Sequence, residues 1–200
     1  MKLYFANTSP YARKARMVIL EKDLSGRVET IFQNPFEDSP DLKKANPLGK
    51  VPALVTDEGT TIFDSPVICA FLDSLAPEPP LIPADEARWS VLAGEALADG
   101  LLDSAFAIVM ERRRPGEQQS EMWLERWESG IQRTIAAVDA DLTPFVGDLT
   151  LAQIALGAAL GYLDFRLPDI DWRSFNPAVA AWYVNFASRP SMKATDPANS

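Results

Sequence analysis

NTSPYARKAR, residues 7–16, follows a short apolar run at residues 3–6 and turns the chain from a strand into a helix. Pro10 lacks the N–H that the first turn of a helix leaves unpaired in any case, so it is typical of a helix start. Ser9, directly before it, is then the predicted N-cap. The stretch predicts a strand, a tight turn and a helix. It leaves open whether the Ser9 hydroxyl only caps the helix or also meets a substrate.

Short strands and helices alternate through the rest of the first 75 residues. Apolar runs and their spacing predict strands at 2–6, 28–32, 53–56 and 61–63, and helices at 10–22, 40–45 and 65–75. Asp57-Glu58-Gly59 lies between the last two strands and predicts a hairpin turn. The first part of the chain is therefore predicted to form a small mixed sheet with helices.

Four prolines fall within residues 76–83, so this segment cannot form a helix or a central strand. We interpret it as a linker, because the pattern after it is helical. Helices are predicted at 84–114, 117–142, 151–165 and 177–188. The predicted organisation is an α/β domain at 1–76, a Pro-rich linker at 77–84 and an all-α helical bundle at 85–200.

The helix that starts at residue 151 carries a distinct start signal. Thr150 and Gln153 have the spacing of a capping box, and Leu149 with Ile154 can form a hydrophobic staple. Gly157 and its small neighbours give this helix a face with little side-chain volume, which favours close packing. We therefore expect it to be the buried central helix of the bundle.

The composition excludes several classes of protein. The net charge of −9 argues against nucleic-acid binding, because such proteins present a basic face to phosphates. No apolar stretch approaches the roughly 20 residues of a membrane-spanning helix and none resembles a signal peptide, so we expect a cytoplasmic protein without membrane contact. With no histidine and one cysteine, Cys69, a Ser-His-Asp triad, a His-rich zinc site and an internal disulfide are excluded, and no metal site is predicted.

Four motifs follow one another along the chain: SPYARKAR at 9–16, NPLGKVPAL at 46–54, FDSPVICAFL at 63–72 and GDLTLAQIAL at 147–156. With the two-part organisation, they resemble the cytosolic glutathione transferase superfamily over nearly the whole chain, especially bacterial members whose first helix begins with Ser-Pro and an aromatic residue. The resemblance implies a thioredoxin-like first domain that binds glutathione and a helical domain that shapes the site for a second substrate. Gln153 departs from the family pattern, which usually has Asp there.

The resemblance gives Ser9 a catalytic role, as the hydroxyl that holds the glutathione sulfur as a thiolate. Lowering a thiol pKa from about 8.5 to about 6.5 requires roughly 2.7 kcal/mol. A hydrogen bond to a charged group supplies about 1.5–3 kcal/mol and a helix N-terminus about 0.3–1 kcal/mol, so no histidine is needed. As a cap, Ser9 lacks a capping-box partner, because Ala12 stands where Glu or Gln would reach back. Thr8 is the alternative donor.

The resemblance also implies the groups that bind the glutathione peptide. A cis bond before Pro52 turns the Val51 main chain toward the cysteinyl unit, and the helix N-terminus at Ser65 offers N–H groups and a hydroxyl to the γ-glutamyl carboxylate. Asp64 attracts the α-ammonium group, and Lys50 pairs with the glycine carboxylate. From the residues alone, a trans proline that opens a strand, a plain helix cap and a solvated loop lysine explain the same pattern.

Five side chains are predicted to line the second-substrate pocket: Tyr11, Phe106, Met110, Tyr162 and Phe165. The basic run at 112–114 complements the C-terminal dipole of its helix, or else faces an anionic second substrate. In the family, the long helix borders a two-fold dimer interface and can lend an acidic group to the neighbouring subunit's site. The candidates for that group are Glu95, Asp99 and Asp103.

The sequence thus predicts a homodimeric, cytoplasmic glutathione transferase of the serine type. It would use glutathione as a substrate, need no metal and join the thiolate to small electrophiles in detoxification. A glutathione-dependent isomerase, dehalogenase or peroxidase would use the same thiolate, and a non-catalytic binding module would keep only the binding groups. The physiological electrophile does not follow from the sequence.

Overall fold

The chain forms two compact units in the computed structural model, which describes residues 1–199. The first unit comprises residues 1–84 together with residues 190–199, and the second comprises residues 85–189. Among the described residues, no helix combines the length and the apolar character needed to cross a membrane.

A mixed four-stranded sheet organises the first unit, with the strand order β2-β1-β3-β4. Its strands are β1 (Lys2–Phe5), β2 (Glu29–Phe32), β3 (Ala53–Val55) and β4 (Thr61–Ile62). β1 runs parallel to β2, and β3 runs antiparallel to both β1 and β4. All four predicted strands are present, and the bounds of each agree with the prediction to within one residue.

Three helices accompany the sheet: α1 (Pro10–Glu21), α2 (Pro40–Ala45) and α3 (Ser65–Leu75). α1 and α3 contact each other, and all three helices have a proline in the first turn. The buried stripe of α1 is made by Ala12, Ala15, Val18 and Ile19, which recur at helical spacing. In the β3–β4 hairpin, Gly59 has a φ of +84°, which glycine adopts without the usual steric penalty.

Four α-helices form the second unit: α4 (Ala87–Glu111), α5 (Glu121–Ala140), α6 (Leu151–Arg166) and α7 (Pro177–Ala187). α6 is buried along most of its length and contacts α4 and α7, so the prediction of a central helix is confirmed. A Cβ atom at Gly157 would lie 2.2 Å from the Phe186 ring. Glycine at this position therefore lets the ring pack directly on the backbone of α6.

The capping box predicted at the start of α6 is wrong. Thr150 is the N-cap residue, but its side chain makes no capping hydrogen bond, and its buried Oγ1 has no partner within residues 1–199. The Gln153 amide instead donates a hydrogen bond to the Asp148 carbonyl at 2.7 Å. Because this bond holds the amide against the preceding loop, the glutamine does not close the box.

The C-terminal segment differs from the predicted domain boundary, because residues 190–199 pack with the first unit. Helix α8 (Pro190–Ala194) contacts α1. The buried Arg13 side chain of α1 donates through Nε to Thr195 Oγ1 at 3.3 Å and through Nη2 to the Met192 carbonyl at 2.9 Å. A buried guanidinium needs partners for its N–H groups, and these bonds hold the segment on α1.

Candidate functional site

The register of the sheet brings three predicted parts of the site to the same end. Tyr4 of β1 pairs with Ala53 at the start of β3, and Leu54 pairs with Ile62 at the end of β4. Because β3 runs antiparallel to both neighbours, the ends of β1 and β4 lie beside the start of β3. The chain next to these three strand ends carries the predicted site residues Ser9, Val51 and Ser65.

Ser9 is the N-cap of α1, as predicted, and is half-buried. Its Oγ accepts a hydrogen bond from the Ala12 N–H at 3.2 Å. That bond uses a lone pair, and no residue within 1–199 accepts the hydroxyl proton. A hydroxyl donates once and accepts twice, so capping the helix and donating to a sulfur are compatible roles. Thr8, the alternative donor, is exposed.

Arg16 contacts and stabilises the turn that leads into α1. Its Nη1 donates to Asn7 Oδ1 at 3.3 Å, and its guanidinium carbon lies 4.5 Å from the centre of the Phe5 ring. Burial lowers the pKa of Arg16, and the charge of Arg13 lowers it further. Arginine nevertheless remains charged in proteins, so a cation holds the turn that presents Ser9.

The Val51–Pro52 peptide bond is cis, as the resemblance implies. The Val51 side chain is buried, but no hydrogen bond within residues 1–199 uses its main-chain N–H or C=O. Asn46 fixes the preceding loop, because its amide donates to the Lys50 carbonyl at 2.9 Å and its Oδ1 accepts from the Leu48 N–H at 3.0 Å. Val51 thus offers a donor and an acceptor to an extended peptide, while the Lys50 side chain is exposed.

The first turn of α3 is open at the same end of the sheet. Ser65 is only 2% exposed, yet no residue within 1–199 hydrogen-bonds to its hydroxyl. Asp64 is the N-cap residue, but its exposed side chain makes no capping hydrogen bond. An anion can therefore bind at this turn. It would accept hydrogen bonds from the free N–H groups and the Ser65 hydroxyl, and the positive end of the helix dipole would attract it. The Asp64 carboxylate remains available to a cation.

Four of the predicted second-substrate residues lie in the second unit, on two helices that contact each other: Phe106 and Met110 on α4, and Tyr162 and Phe165 on α6. Tyr162 is buried, whereas the other three are partly or fully exposed. Tyr11 lies on α1 in the first unit and is half-buried. That these five residues line one pocket stays a prediction.

Arg166 is a candidate that the sequence prediction missed. Its guanidinium carbon lies 4.2 Å from the centre of the Phe165 ring. Burial raises the pKa of the Tyr162 phenol, and the charges of Arg166 and Arg113 act in the opposite direction. Arg113 also places Nη1 3.7 Å from Met110 Sδ. The only sequence signal was a basic residue in the last turn of α6, which the helix dipole explains by itself.

The remaining candidates are acidic or sulfur-bearing side chains outside these groups. On α4, Glu95 is buried, Asp99 half-buried and Asp103 exposed, and the role of an acid at an interface stays a prediction. Cys69 is completely buried in α3, in keeping with a core position. Residues 1–199 contain no cluster of three side chains suited to holding a metal ion.

Two family models match the chain. The model described as the N-terminal domain of glutathione S-transferase matches residues 8–75. The model described as the C-terminal domain of glutathione S-transferase matches residues 121–184. The first match contains Ser9, Val51 and Ser65, and the second contains Tyr162 and Arg166.

Full-length relatives agree with these matches. The chain is 37% identical to the uncharacterized GST-like protein YibF of Escherichia coli, over 98% of both proteins. It is 39% identical to a glutathione transferase family member from Pseudomonas fluorescens Pf-5, solved with bound glutathione, with a TM-score of 0.94 over 98% of both chains. It is also 27% identical to maleylacetoacetate isomerase of Pseudomonas aeruginosa, over 70% of this chain and 68% of that protein. With its thioredoxin-like sheet and following helical domain, the chain belongs to the glutathione S-transferase superfamily.

Proposed function

We propose that the protein is a glutathione transferase that activates the thiol of glutathione through Ser9 and joins it to small electrophiles. One observation carries the proposal: three sets of unpartnered hydrogen-bonding groups lie at one end of the sheet. They are the Ser9 hydroxyl proton, the Val51 main chain and the first turn of α3. A peptide with an extended backbone, charged ends and a central thiol requires this combination of groups.

Each part of glutathione has a counterpart in the first unit. Val51 exchanges main-chain hydrogen bonds with the cysteinyl unit, and the α3 N-terminus with Ser65 takes the γ-glutamyl carboxylate. Asp64 attracts the α-ammonium group, and Lys50 pairs with the glycine carboxylate. The bound glutathione in the relative from Pseudomonas fluorescens supports this choice of substrate.

The reaction follows from a stabilised thiolate. The thiol proton leaves to water, and the Ser9 hydroxyl donates a hydrogen bond to the sulfur that remains negatively charged. The sulfur electron pair then forms a carbon–sulfur bond with the electrophile, and a leaving group such as chloride departs with its bonding pair. The positive end of the α1 dipole favours the same charge.

The proposal includes a cytoplasmic homodimer that acts in detoxification. Support for an interface comes from large apolar side chains on α4 and α5: Trp89 is 71% exposed, Met122 65% and Trp123 44%. Trp89 lies at the start of α4, and Met122 and Trp123 lie at the start of α5, and exposed side chains of this kind favour burial against another protein. The net charge of −9 again disfavours nucleic acid as a partner.

A glutathione-dependent isomerase is the second candidate, favoured by the similarity to maleylacetoacetate isomerase. It would use the same thiolate, add it to an alkene and release it again, so that glutathione is not consumed. A dehalogenase or a peroxidase would also begin from this thiolate. A non-catalytic binding module would bind glutathione and turn over nothing.

Retention on immobilised glutathione and conjugation of an aryl chloride test the proposal together. We expect the wild-type protein to be retained and to form the thioether, which is followed by absorbance. We expect Ser9→Ala to be retained and to conjugate slowly. Retention without conjugation of any electrophile in a panel would refute the transferase and favour the binding module. Isomerisation of a cis-alkene acid without loss of glutathione would favour the isomerase.

A further inference from the structure

Tyr162 is a buried tyrosine whose hydroxyl has no hydrogen-bond partner in the described part of the chain. Its side chain is 5% exposed, and none of residues 1–199 bonds to its Oη. Because burial raises the pKa of this phenol, it stays protonated at neutral pH and is a hydrogen-bond donor. The oxygen itself is not among the buried unpartnered side-chain atoms of residues 1–199, so solvent and a ligand can reach it, and a ligand that accepts its hydrogen bond replaces water there.

Two cations act on the same phenol. Arg166 follows Tyr162 by four residues on α6, which puts both on one face of the helix, and Arg113 comes directly after α4, which packs against α6. In keeping with this placement, both positive charges oppose the rise in the pKa of Tyr162. Arg166 is half-buried, stacks on the Phe165 ring and has no carboxylate partner within residues 1–199. The α6 end of the second unit thus combines an unpartnered O–H with a cation that no carboxylate of the described chain neutralises.

The acidic residues nearest to Arg166 in the sequence are already engaged. Asp164 pairs with Arg173 at 2.6 Å and accepts from Trp172 Nε1 at 3.0 Å. Asp169 pairs with Arg112 at 2.9 Å. In a chain with a net charge of −9, a half-buried guanidinium without an internal carboxylate is suited to a carboxylate supplied by a ligand.

We propose that Tyr162, Arg166 and Arg113 form a carboxylate-binding site, and that the electrophile of the transfer reaction is an organic acid. The second part of this statement rests on the proposed function. The planar fork of Arg166 matches a carboxylate, the Tyr162 hydroxyl donates to it, and Arg113 adds a second positive charge. The Phe165 ring and the Met110 thioether offer apolar contact to the hydrocarbon part of the acid.

Equilibrium binding tests the site without catalysis. Calorimetric titration of the full chain with 4-nitrobenzoate and with uncharged 4-nitrobenzamide separates charge from shape. We expect Arg166→Gln to weaken binding of the acid roughly tenfold and to leave the amide unchanged. Tyr162→Phe, which removes one hydrogen-bond donor, should weaken binding of the acid by about three- to tenfold. Arg133→Gln, which removes the same charge from the exposed face of α5, should change neither affinity.

Kinetics connect the site to the reaction. With an aryl chloride that carries a carboxylate and with its methyl ester, Arg166→Gln should raise KM for the acid alone. Three results would overturn the site. Arg133→Gln could weaken binding of the acid as much as Arg166→Gln does, Arg166→Gln could weaken binding of the amide as much as that of the acid, or the wild-type protein could fail to bind the acid at millimolar concentration. If the acid binds through Arg166 but the wild-type protein conjugates neither chloride, the carboxylate site stands and the transferase fails. Tyr162→Phe keeps the test decisive if Arg166→Gln does not fold.

Discussion

Ser9 divides its hydroxyl between two tasks. One lone pair accepts the Ala12 N–H at 3.2 Å and caps α1, and the proton remains for a sulfur atom. The two roles affect different measurable quantities. Loss of the N-cap lowers the free energy of unfolding by about 0.5–2 kcal/mol, whereas loss of a hydrogen bond to the thiolate raises the pKa of the bound thiol. Measurements of stability and of pH dependence on the same variant therefore report the two tasks separately.

Replacement of Ser9 by alanine should shift the pH–rate profile. The bound thiol loses a donor to its charged form, so its pKa rises and less thiolate is present at neutral pH. Conjugation at neutral pH should fall roughly 10- to 100-fold for a loss of about 1.4–2.7 kcal/mol, and it should recover as the pH is raised through the new pKa. Thr8→Val is the matched control and should keep the wild-type profile. The reverse result, an unchanged Ser9→Ala and an inactive Thr8→Val, would make Thr8 the donor.

Replacement of Ser65 by alanine should affect binding and not activation. Ser65 is a buried residue whose hydroxyl bonds to no residue of the described chain and is not among its buried unpartnered atoms, so a ligand can reach it and we assign it to the γ-glutamyl carboxylate. Loss of one hydrogen bond to a charged group should weaken the binding of glutathione about 10-fold or more and leave the pKa of the bound thiol unchanged. Ser74→Ala is the control on the same helix, because Ser74 Oγ already donates to the Phe71 carbonyl. If calorimetry gives the same glutathione affinity for Ser65→Ala and Ser74→Ala, Ser65 does not belong to the binding site.

Helices α1 and α8 form the element pair that supports the site. Arg13 joins them, and its own N–H bonds to the Ser9 carbonyl at 2.9 Å, in the first turn that presents the hydroxyl. Ser191 adds a second bond by donating its hydroxyl to Glu21. Both ends of α1 are therefore fastened by residues that follow the whole second unit in the sequence.

Thr195→Val should reduce the stability of the protein. Valine keeps the shape of threonine but cannot accept from Arg13 Nε, so a buried donor loses a partner. We expect a loss of about 1–3 kcal/mol in the free energy of unfolding, measured by urea denaturation. Thr61→Val, at an exposed position of β4, is the matched control and should change stability by less than about 0.5 kcal/mol. Equal stability of the two variants would show that the hydrogen bond from Arg13 to Thr195 is dispensable.

Local pattern predicts the elements well and their side-chain partners less well. The bounds of α2 and α3 agree with the sequence because proline and a hydroxyl or acidic residue mark each start. The capping box at Thr150 fails because Gln153 has a competing acceptor in the preceding loop. The bond from Arg13 to Thr195 joins residues far apart in the chain, and no local rule anticipates it. Ser9, Val51 and Ser65 are predictable through the family motifs, whereas Arg166 depends on how α4 and α6 pack.

The whole molecule is expected to be a dimer. Large apolar side chains on α4 and α5, Trp89 and Met122 among them, are more than half exposed in the single chain. Sedimentation at micromolar concentration should therefore show a species near twice the chain mass of 22.0 kDa. Met122→Glu should shift the distribution toward the monomer, and Leu48→Glu, at an exposed position of the first unit, is a control for added charge. An active wild-type monomer at this concentration would contradict the shared interface.

During synthesis, α1 leaves the ribosome long before the residues that fasten it. Met192 and Thr195 follow residue 84 by roughly 110 positions, so at roughly 5–20 residues per second they arrive on the order of 5–20 s later. Throughout that interval the Arg13 face of the nascent first unit is open to water and to chaperones. The ability to hold glutathione should thus be acquired late in translation. A messenger truncated before codon 192 would yield a polypeptide that contains the whole second unit. Its first unit, the proposed glutathione-binding part, would lack the Met192 and Thr195 partners of Arg13.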